Sequence, residues 1–542
     1  MKLQLPIALV LSLLLLGSCA PVQSNAPVVT SEITVKPSTT ADSTAAPTVA
    51  ADSAAATFTY MPNTGSLLRE PLWSSLPQWH GVNVTHLCDT AYTDGIFVQK
   101  EFQLLAKQGF NFARIPLDYR FWAPASDWGG VREERLDTLD DAVRWGIQYD
   151  IHVSLDLHRA PGYCINPPAE KQSLWISATA QEAACRQWAM LARRYRGVPN
   201  RNMSFNLLNE PSGVDEDTYI KVVTKLVNAI RAEDPDRLII ADGLEASTVP
   251  VPRLKELEIA QALHNYKPIT LTHYKASWVE GADAFPLPTW PLYSLSSYLY
   301  GPYQGNLSTP LLIDGPVEQP ATLTLHVHQV SNLARLQVLC DGKIVFDETI
   351  RSTDDPSSCK EVYYNEQWDI YQNTFDRDYT ANIPKGTGQI EVRMEDGDWL
   401  TLTRLTLQMD DGTQAAVEYT SQQWGDRTPC FALQDGKLTP SANAVTLDRA
   451  WLRQQMQPWV DLKNSGVGIM VGEWGVFSQT PHDVTLRYMA DAASVYQECG
   501  FGWALWNYYG SFGILNSGRT DVNYASFAGE KLDQALYDII KP

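Results

Sequence analysis

Positive charge is scarce in this chain. It carries 42 Lys and Arg against 62 Asp and Glu, a formal net charge of −20 over 542 residues. A surface this acidic repels nucleic acid and anionic membrane faces, so both are poor candidate partners and a neutral ligand fits better. Long apolar runs are also lacking. The one near the N-terminus, residues 3–17, is too short for a membrane span. None of the eight cysteines forms a C-x-x-C pair, which argues against a zinc site. Seven lie beyond Cys19, so at least one of them stays unpaired among themselves. Cys164–Cys185 and Cys340–Cys359 are candidate disulfides by proximity in sequence.

What is present begins with a targeting pattern. Lys2 precedes the apolar run, and Leu16-Gly17-Ser18-Cys19 closes it. Small residues before a cysteine resemble a bacterial lipobox. That resemblance implies removal of residues 1–18 and lipidation of Cys19; the alternative is an ordinary signal peptide with an incidental cysteine. Residues 19–58 are rich in Ala, Ser, Thr, Pro and Val without apolar periodicity. They read as a disordered tether, since such a segment buries too little to offset its ordering entropy. The expected location is exported and membrane-anchored, at the cell surface or in the periplasm, with the lipid as the only membrane contact.

From about residue 60, short β-rich runs alternate with helical patterns. The runs are HGVNV (80–84), FNFARIPL (110–117), IHVSLDLH (151–158), MSFNLLNE (203–210), RLIIADG (237–243), IAQALHNY (259–266), VGIMVGEWG (467–475) and FGWALWNYY (501–509). Eight strand–helix units predict an α/β fold, a (β/α)8 barrel. The rhythm breaks after the sixth strand. TLTLHVHQV, ARLQVLCDG, KIVFDETI, GQIEVRMEDG and WLTLTRLTLQM alternate like strands, with Asp341-Gly342 and Asp396-Gly397 as turns. They predict an all-β sandwich of jelly-roll kind inserted after barrel strand 6. The expected domains are barrel at 59–295 and 441–542, with the insertion at 296–440. Because the insertion follows a strand, it is expected to leave from the face that carries catalytic groups.

Several runs end in polar residues, where such barrels keep their chemistry. Two glutamates stand out, Glu210 and Glu473. Strands four and seven lie on opposite sides of a barrel mouth, so the two can face each other. Glycosidic bond cleavage needs such a pair, one to protonate the leaving oxygen and one at the anomeric carbon.

The motifs GVN (81–83), FARIP (112–116), LDLHRAPG (155–162), LLNEP (207–211), HNYKPITLTHYKASW (264–278), VGEWGVF (471–477) and WALWNYYGSFG (503–513) resemble glycoside hydrolase family 5 in order and spacing. The resemblance covers about 60–295 and 440–540. It implies a retaining enzyme with Glu210 as general acid/base and Glu473 as nucleophile. It further implies Asn209 on the sugar 2-hydroxyl, Arg114 and Tyr266 at the nucleophile, and Trp506 as a platform under the −1 sugar. His158 and His264 would bond the substrate or the acid/base, and His273 competes with His264 for the place in the cleft. Trp278, Trp290, Trp122 and Trp175 sit in strand-end loops and either stack on sugars or plug the mouth. Neither metal nor cofactor is called for.

The implied substrate is an extracytoplasmic polysaccharide or oligosaccharide, a β-glucan first, with β-mannan, xyloglucan and β-1,3-glucan open. A rival reading is a surface lipoprotein that binds glycans without cleaving them; the presence of both glutamates argues against it. The insertion is either a carbohydrate-binding module or a wall to the cleft. Its Trp368, Tyr371, Trp399 and Trp424 are either binding aromatics or sandwich core.

Overall fold

The structure is a computed structural model that describes residues 58–422 and 424–542. The signal-like run, Cys19 and nearly all of the tether lie outside the described residues. Among the described residues no helix is long and apolar enough to cross a membrane. The chain forms two compact units, one running to Asp283 and resuming at Leu452, the other Ala284–Trp451.

The first unit is a closed barrel of eight parallel strands in sequence order. They are β1 (His80–Asn83), β2 (Phe112–Asp118), β3 (His152–Arg159), β4 (Met203–Asn206), β5 (Ile239–Asp242) and β6 (Ala260–Asn265). The seventh barrel strand is Ile469–Trp474 and the eighth is Gly502–Leu505. Every residue of β2 and β3 is buried, as strands covered on both faces require. Gly81 is there because nothing larger fits: a Cβ at that position would lie 2.0 Å from the Phe112 carbonyl oxygen. β6 pairs directly with the seventh strand, although the whole second unit separates them in sequence.

Helices α1 (Gln99–Lys107), α2 (Asp137–Gln148), α3 (Ala178–Arg194) and α4 (Glu216–Glu233) follow their strands. Ser177 caps α3 by accepting from the Ala180 N–H, and Asp215 caps α4 by accepting from that of Thr218. α4 buries Tyr219, Val222, Val223, Leu226, Val227 and Ile230, a stripe at helical spacing. Its Tyr219 hydroxyl donates to the Asp242 carbonyl at 2.6 Å and so steadies the end of β5.

The second unit is a β-sandwich. One sheet centres on Ala321–Ser331 between Ile370–Ile383 and Trp399–Met409. The other centres on Leu333–Cys340 and Gln389–Gly397. Alternation puts Leu323, Leu325, Val327, Val338, Val392, Leu405 and Leu407 into one core. A short antiparallel pair, Leu292–Ser294 with Val445–Leu447, joins the two ends of the insertion, so the unit reaches beyond 296–440 on both sides. Trp399 belongs to its buried residues, whereas Trp368 and Trp424 are exposed and Tyr371 is half-buried.

The candidate disulfides are corrected: Cys164, Cys185, Cys340 and Cys359 are free. Cys340 ends a strand of one sheet. Cys359 precedes Lys360 and Glu361, which bond Thr374 on a strand of the other sheet. Cys164 lies in the loop after β3, its thiol toward the His158 carbonyl at 3.5 Å, and Cys185 sits on α3. Closeness in sequence did not become a disulfide.

Candidate active site

Arg114 organises the barrel mouth. It points inward from β2 and is 1% exposed. Its Nη1 reaches Glu473 Oε1 at 2.5 Å and Asn83 at 3.1 Å. Nε donates to Asn206 at 2.9 Å, and Nη2 donates to Asn209 Oδ1 at 2.9 Å. Nη2 also lies 3.0 Å from Asp156 Oδ2. One guanidinium thus ties β1, β3, β4 and the seventh strand to the nucleophile candidate, a fork geometry that lysine does not offer. Burial alone would lower its proton affinity; Asp156, Glu473 and Asp242 outweigh that and raise it.

Glu473 and Glu210 are both 2% exposed. One oxygen of each and a ring nitrogen of His264 lie within 4.8 Å of one another. The register explains the closeness, since Glu473 is paired with His264 across neighbouring strands. Tyr266 donates its hydroxyl to Glu473 Oε2 at 3.1 Å. His264 Nδ1 is 2.9 Å from Glu210 Oε1. These three donors could close on a divalent cation, but Glu473 already holds the Arg114 guanidinium, and a second cation there would meet that charge.

Glu210 lies just past β4 in the left-handed region, φ 50°. A glutamate there is strained unless its surroundings hold it. They do: its N–H donates to Asp242 Oδ2 at 3.0 Å, and its carbonyl accepts from the Tyr163 hydroxyl at 2.6 Å. The Ser212 N–H donates to that same hydroxyl at 2.9 Å.

The two carboxyls are set apart electrostatically. Burial pushes Glu210 well above the usual carboxylate range, and the charges of Glu473, Asp242 and Asp156 push it further. Burial raises Glu473 too, with Asp156 and Asp242 adding to the rise, but Arg114 pulls against it and the rise is smaller. The first proton to leave the pair is therefore that of Glu473, and Glu210 keeps its own. Burial drives His264 well below its ordinary value and His158 down to about 4, so both rings are neutral near pH 7.

The remaining expected residues divide clearly. His158 stacks on Trp506, centroids 5.6 Å apart and planes 14° from parallel, and its Nδ1 is 3.4 Å from Asp156. His264, not His273, stands between the glutamates. His273 instead bonds the Thr272 hydroxyl at 3.0 Å and packs edge-on to Tyr266, in an aromatic wall with Phe512 and Trp278. Trp122 is core, its indole N–H donating to Gln187 at 2.7 Å. Trp175 packs on Tyr163. Trp290 belongs to the second unit and is buried there.

Four site residues were not singled out from sequence: Asn83, Asp156, Asn206 and Asp242. The signal was an arginine on a buried strand, which demands buried acidic and amide partners. Asp156 and Asp242 are the inward acidic residues of the runs LDLH and IIAD.

Comparison with known proteins agrees with this geometry. Residues 74–288 match the family model of cellulase, glycosyl hydrolase family 5. Endoglucanase C of Acetivibrio thermocellus is 30% identical over 196 residues, covering 35% of this chain and 57% of that protein. A probable glucan 1,3-beta-glucosidase A of Emericella nidulans is 29% identical over 153 residues, covering 27% of this chain and 37% of that protein. The chain thus spans little more than half the length of the first curated relatives it matches, and less of others. A crystal structure of a glycoside hydrolase superposes with a TM-score of 0.55 at 25% identity, covering 85% of this chain and 98% of that one. Fold, strand-end constellation and family match point the same way: residues 74–288, most of the first barrel segment, are similar to glycosyl hydrolase family 5.

Proposed function

We propose that the chain is a retaining β-glycoside hydrolase acting on an extracytoplasmic β-glucan. The observation that carries this reading is the buried pair itself. One oxygen of each carboxyl lies within 4.8 Å of the other, a closeness that supports a retaining pair over an inverting one. Retaining pairs stand about 5–5.5 Å apart, and inverting pairs about 6.5–9.5 Å. Glu473, held ionised by Arg114 and Tyr266, attacks the anomeric carbon. Glu210 gives its proton to the leaving oxygen. Once Glu473 is esterified its charge is gone, Glu210 loses its reason to stay protonated, and it takes a proton from the incoming water.

Several polar atoms support a sugar at this place. Glu210 Oε2, Asn209 Nδ2 and both His158 ring nitrogens are buried without a hydrogen-bond partner among the described residues. Sugar hydroxyls would satisfy them. A β-glucan is favoured because relatives named for endoglucanase and for 1,3-beta-glucosidase activity share the glucan and differ in linkage and mode. The lipobox-like Leu16–Cys19 supports export and a lipid anchor.

The test is hydrolysis of barley β-glucan, carboxymethyl-cellulose, laminarin, xyloglucan and mannan, with Glu210→Gln and Glu473→Gln beside the wild type. Cleavage of a glucan, lost in both variants, is the expected result. Folded wild type that binds a glucan and cleaves none of the five would sink the reading and favour the binding-only one.

A further inference from the structure

Asp242, the last residue of β5, makes more contacts to the acid/base than any role assigned so far explains. Its Oδ2 accepts from the Glu210 N–H at 3.0 Å and from the Ser247 hydroxyl at 3.0 Å. The same oxygen is 3.3 Å from His264 Nε2, close but off the line of a formed hydrogen bond. Its Oδ1 accepts from Asn206 at 2.8 Å. The far nitrogen of the same imidazole, Nδ1, is 2.9 Å from Glu210 Oε1. Asp242 therefore touches Glu210 twice, directly through the backbone and indirectly through the ring.

We propose that Asp242 is a positioning residue for the proton donor, fixing the tautomer of His264 so that Glu210 rests as the carboxylic acid. This rests on Glu210 being the acid/base. Burial raises Asp242, and against it Arg114, the Asn206 amide and the Glu210 N–H favour the ionised form. A carboxylate beside Nε2 selects the imidazole with its hydrogen on Nε2. Nδ1 is then a lone pair, and Glu210 Oε1 can bond it only by carrying a proton. Oε2 has no partner and faces the remaining space. A half-turn of the carboxyl about its last torsion, a broad two-fold rotor, presents the proton to the leaving oxygen. Nothing is consumed: the proton passes from Glu210 to the leaving group and is recovered from water in the second step.

Charge supports the geometry. Glu210 faces Glu473, Asp242, Asp156 and Arg114, and further Tyr163, His264 and Tyr266. Among these, Asp242 lies against both its N–H and its histidine. Removing the Asp242 charge removes one of the forces that keep Glu210 protonated, so the alkaline limb of activity moves to lower pH.

The test compares kcat/KM of the full chain on aryl β-cellobiosides whose leaving groups run from 2,4-dinitrophenol to 4-methylphenol. Asp242→Asn is expected to lose about tenfold to a hundredfold on the poor leaving group and almost nothing on the good one. Its alkaline limb should shift acidward. Tyr163→Phe loosens the same turn without touching the charge, and should lower rates evenly with an unmoved limb. Equal losses across leaving groups in Asp242→Asn, with an unmoved limb, would overturn the proposal and leave a structural role. Glu210→Gln runs alongside: absence of leaving-group dependence there would overturn the acid/base reading itself, whereas its presence with none in Asp242→Asn fails this inference alone. If Asp242→Asn does not fold, nitrogen NMR of His264 in the wild type decides, Nε2–H supporting the proposal and Nδ1–H overturning it.

Discussion

At the residue scale, the site is one cation among buried acids. Arg114 serves Glu473 as a charge and Asn83, Asn206 and Asn209 as a fork. Arg114→Met leaves Glu473 and Asp156 buried without their counter-charge, and the expected cost is about 3–5 kcal/mol in chemical denaturation. A loss under about 1 kcal/mol would mean that the carboxyls simply take up protons instead. Asp156 adds a pH signature. Burial pushes it up to about 7 from 3.8. The folded state then binds a proton more tightly than the unfolded, so stability falls as pH rises through that window and levels off above it. Thermal midpoints measured from pH 4 to 8 should fall less steeply in Asp156→Asn than in wild type. The glutamates, Asn209 and Tyr266 were legible in sequence because each directly follows or ends an apolar run. Asp156 and Asp242 were not, because an acidic residue near a strand end looks the same whether it turns inward to an arginine or outward to water. His264 and His273 looked alike for a similar reason, and the turn Ile269–Thr272 is what sends His273 into the aromatic wall.

At the element scale, the strands place the chemistry and the tight approach of their backbones sets the tolerance. Gly81→Ala would drive a Cβ into the Phe112 carbonyl, a backbone atom that cannot swing away. We expect loss of soluble folded protein or a fall of more than about 3 kcal/mol in stability, read by denaturant titration. A near-neutral result would show that β1 can slide on β2. The helical and strand runs were readable because apolar period and turn residues agree along each of them. Side-chain pairing was less so. Cys340 and Cys359 are close in sequence, but Cys340 ends a strand and Cys359 lies in a bend between strands, and both are free thiols.

At the scale of the whole molecule, two cores are built from one interrupted chain. The barrel closes β6 directly onto the seventh strand, and the sandwich ties its own ends together through Leu292–Ser294 and Val445–Leu447. Each unit therefore holds its own cooperative contacts, and calorimetry should resolve two unfolding transitions rather than one. A single transition with equal calorimetric and van't Hoff enthalpies would contradict this. The insertion was visible from sequence as a change of period from helix–strand alternation to strand after strand. Its two ends were not, because the pair that closes it consists of three-residue strands.

A retaining pair at Glu473 and Glu210 is tested by the anomeric configuration of the first product. Proton NMR of β-glucan hydrolysis by the intact chain, recorded before mutarotation, should show the β-hemiacetal first and the α-form only later. The α-hemiacetal appearing first would mean direct attack by water, and would contradict both the covalent step at Glu473 and the role given to Glu210.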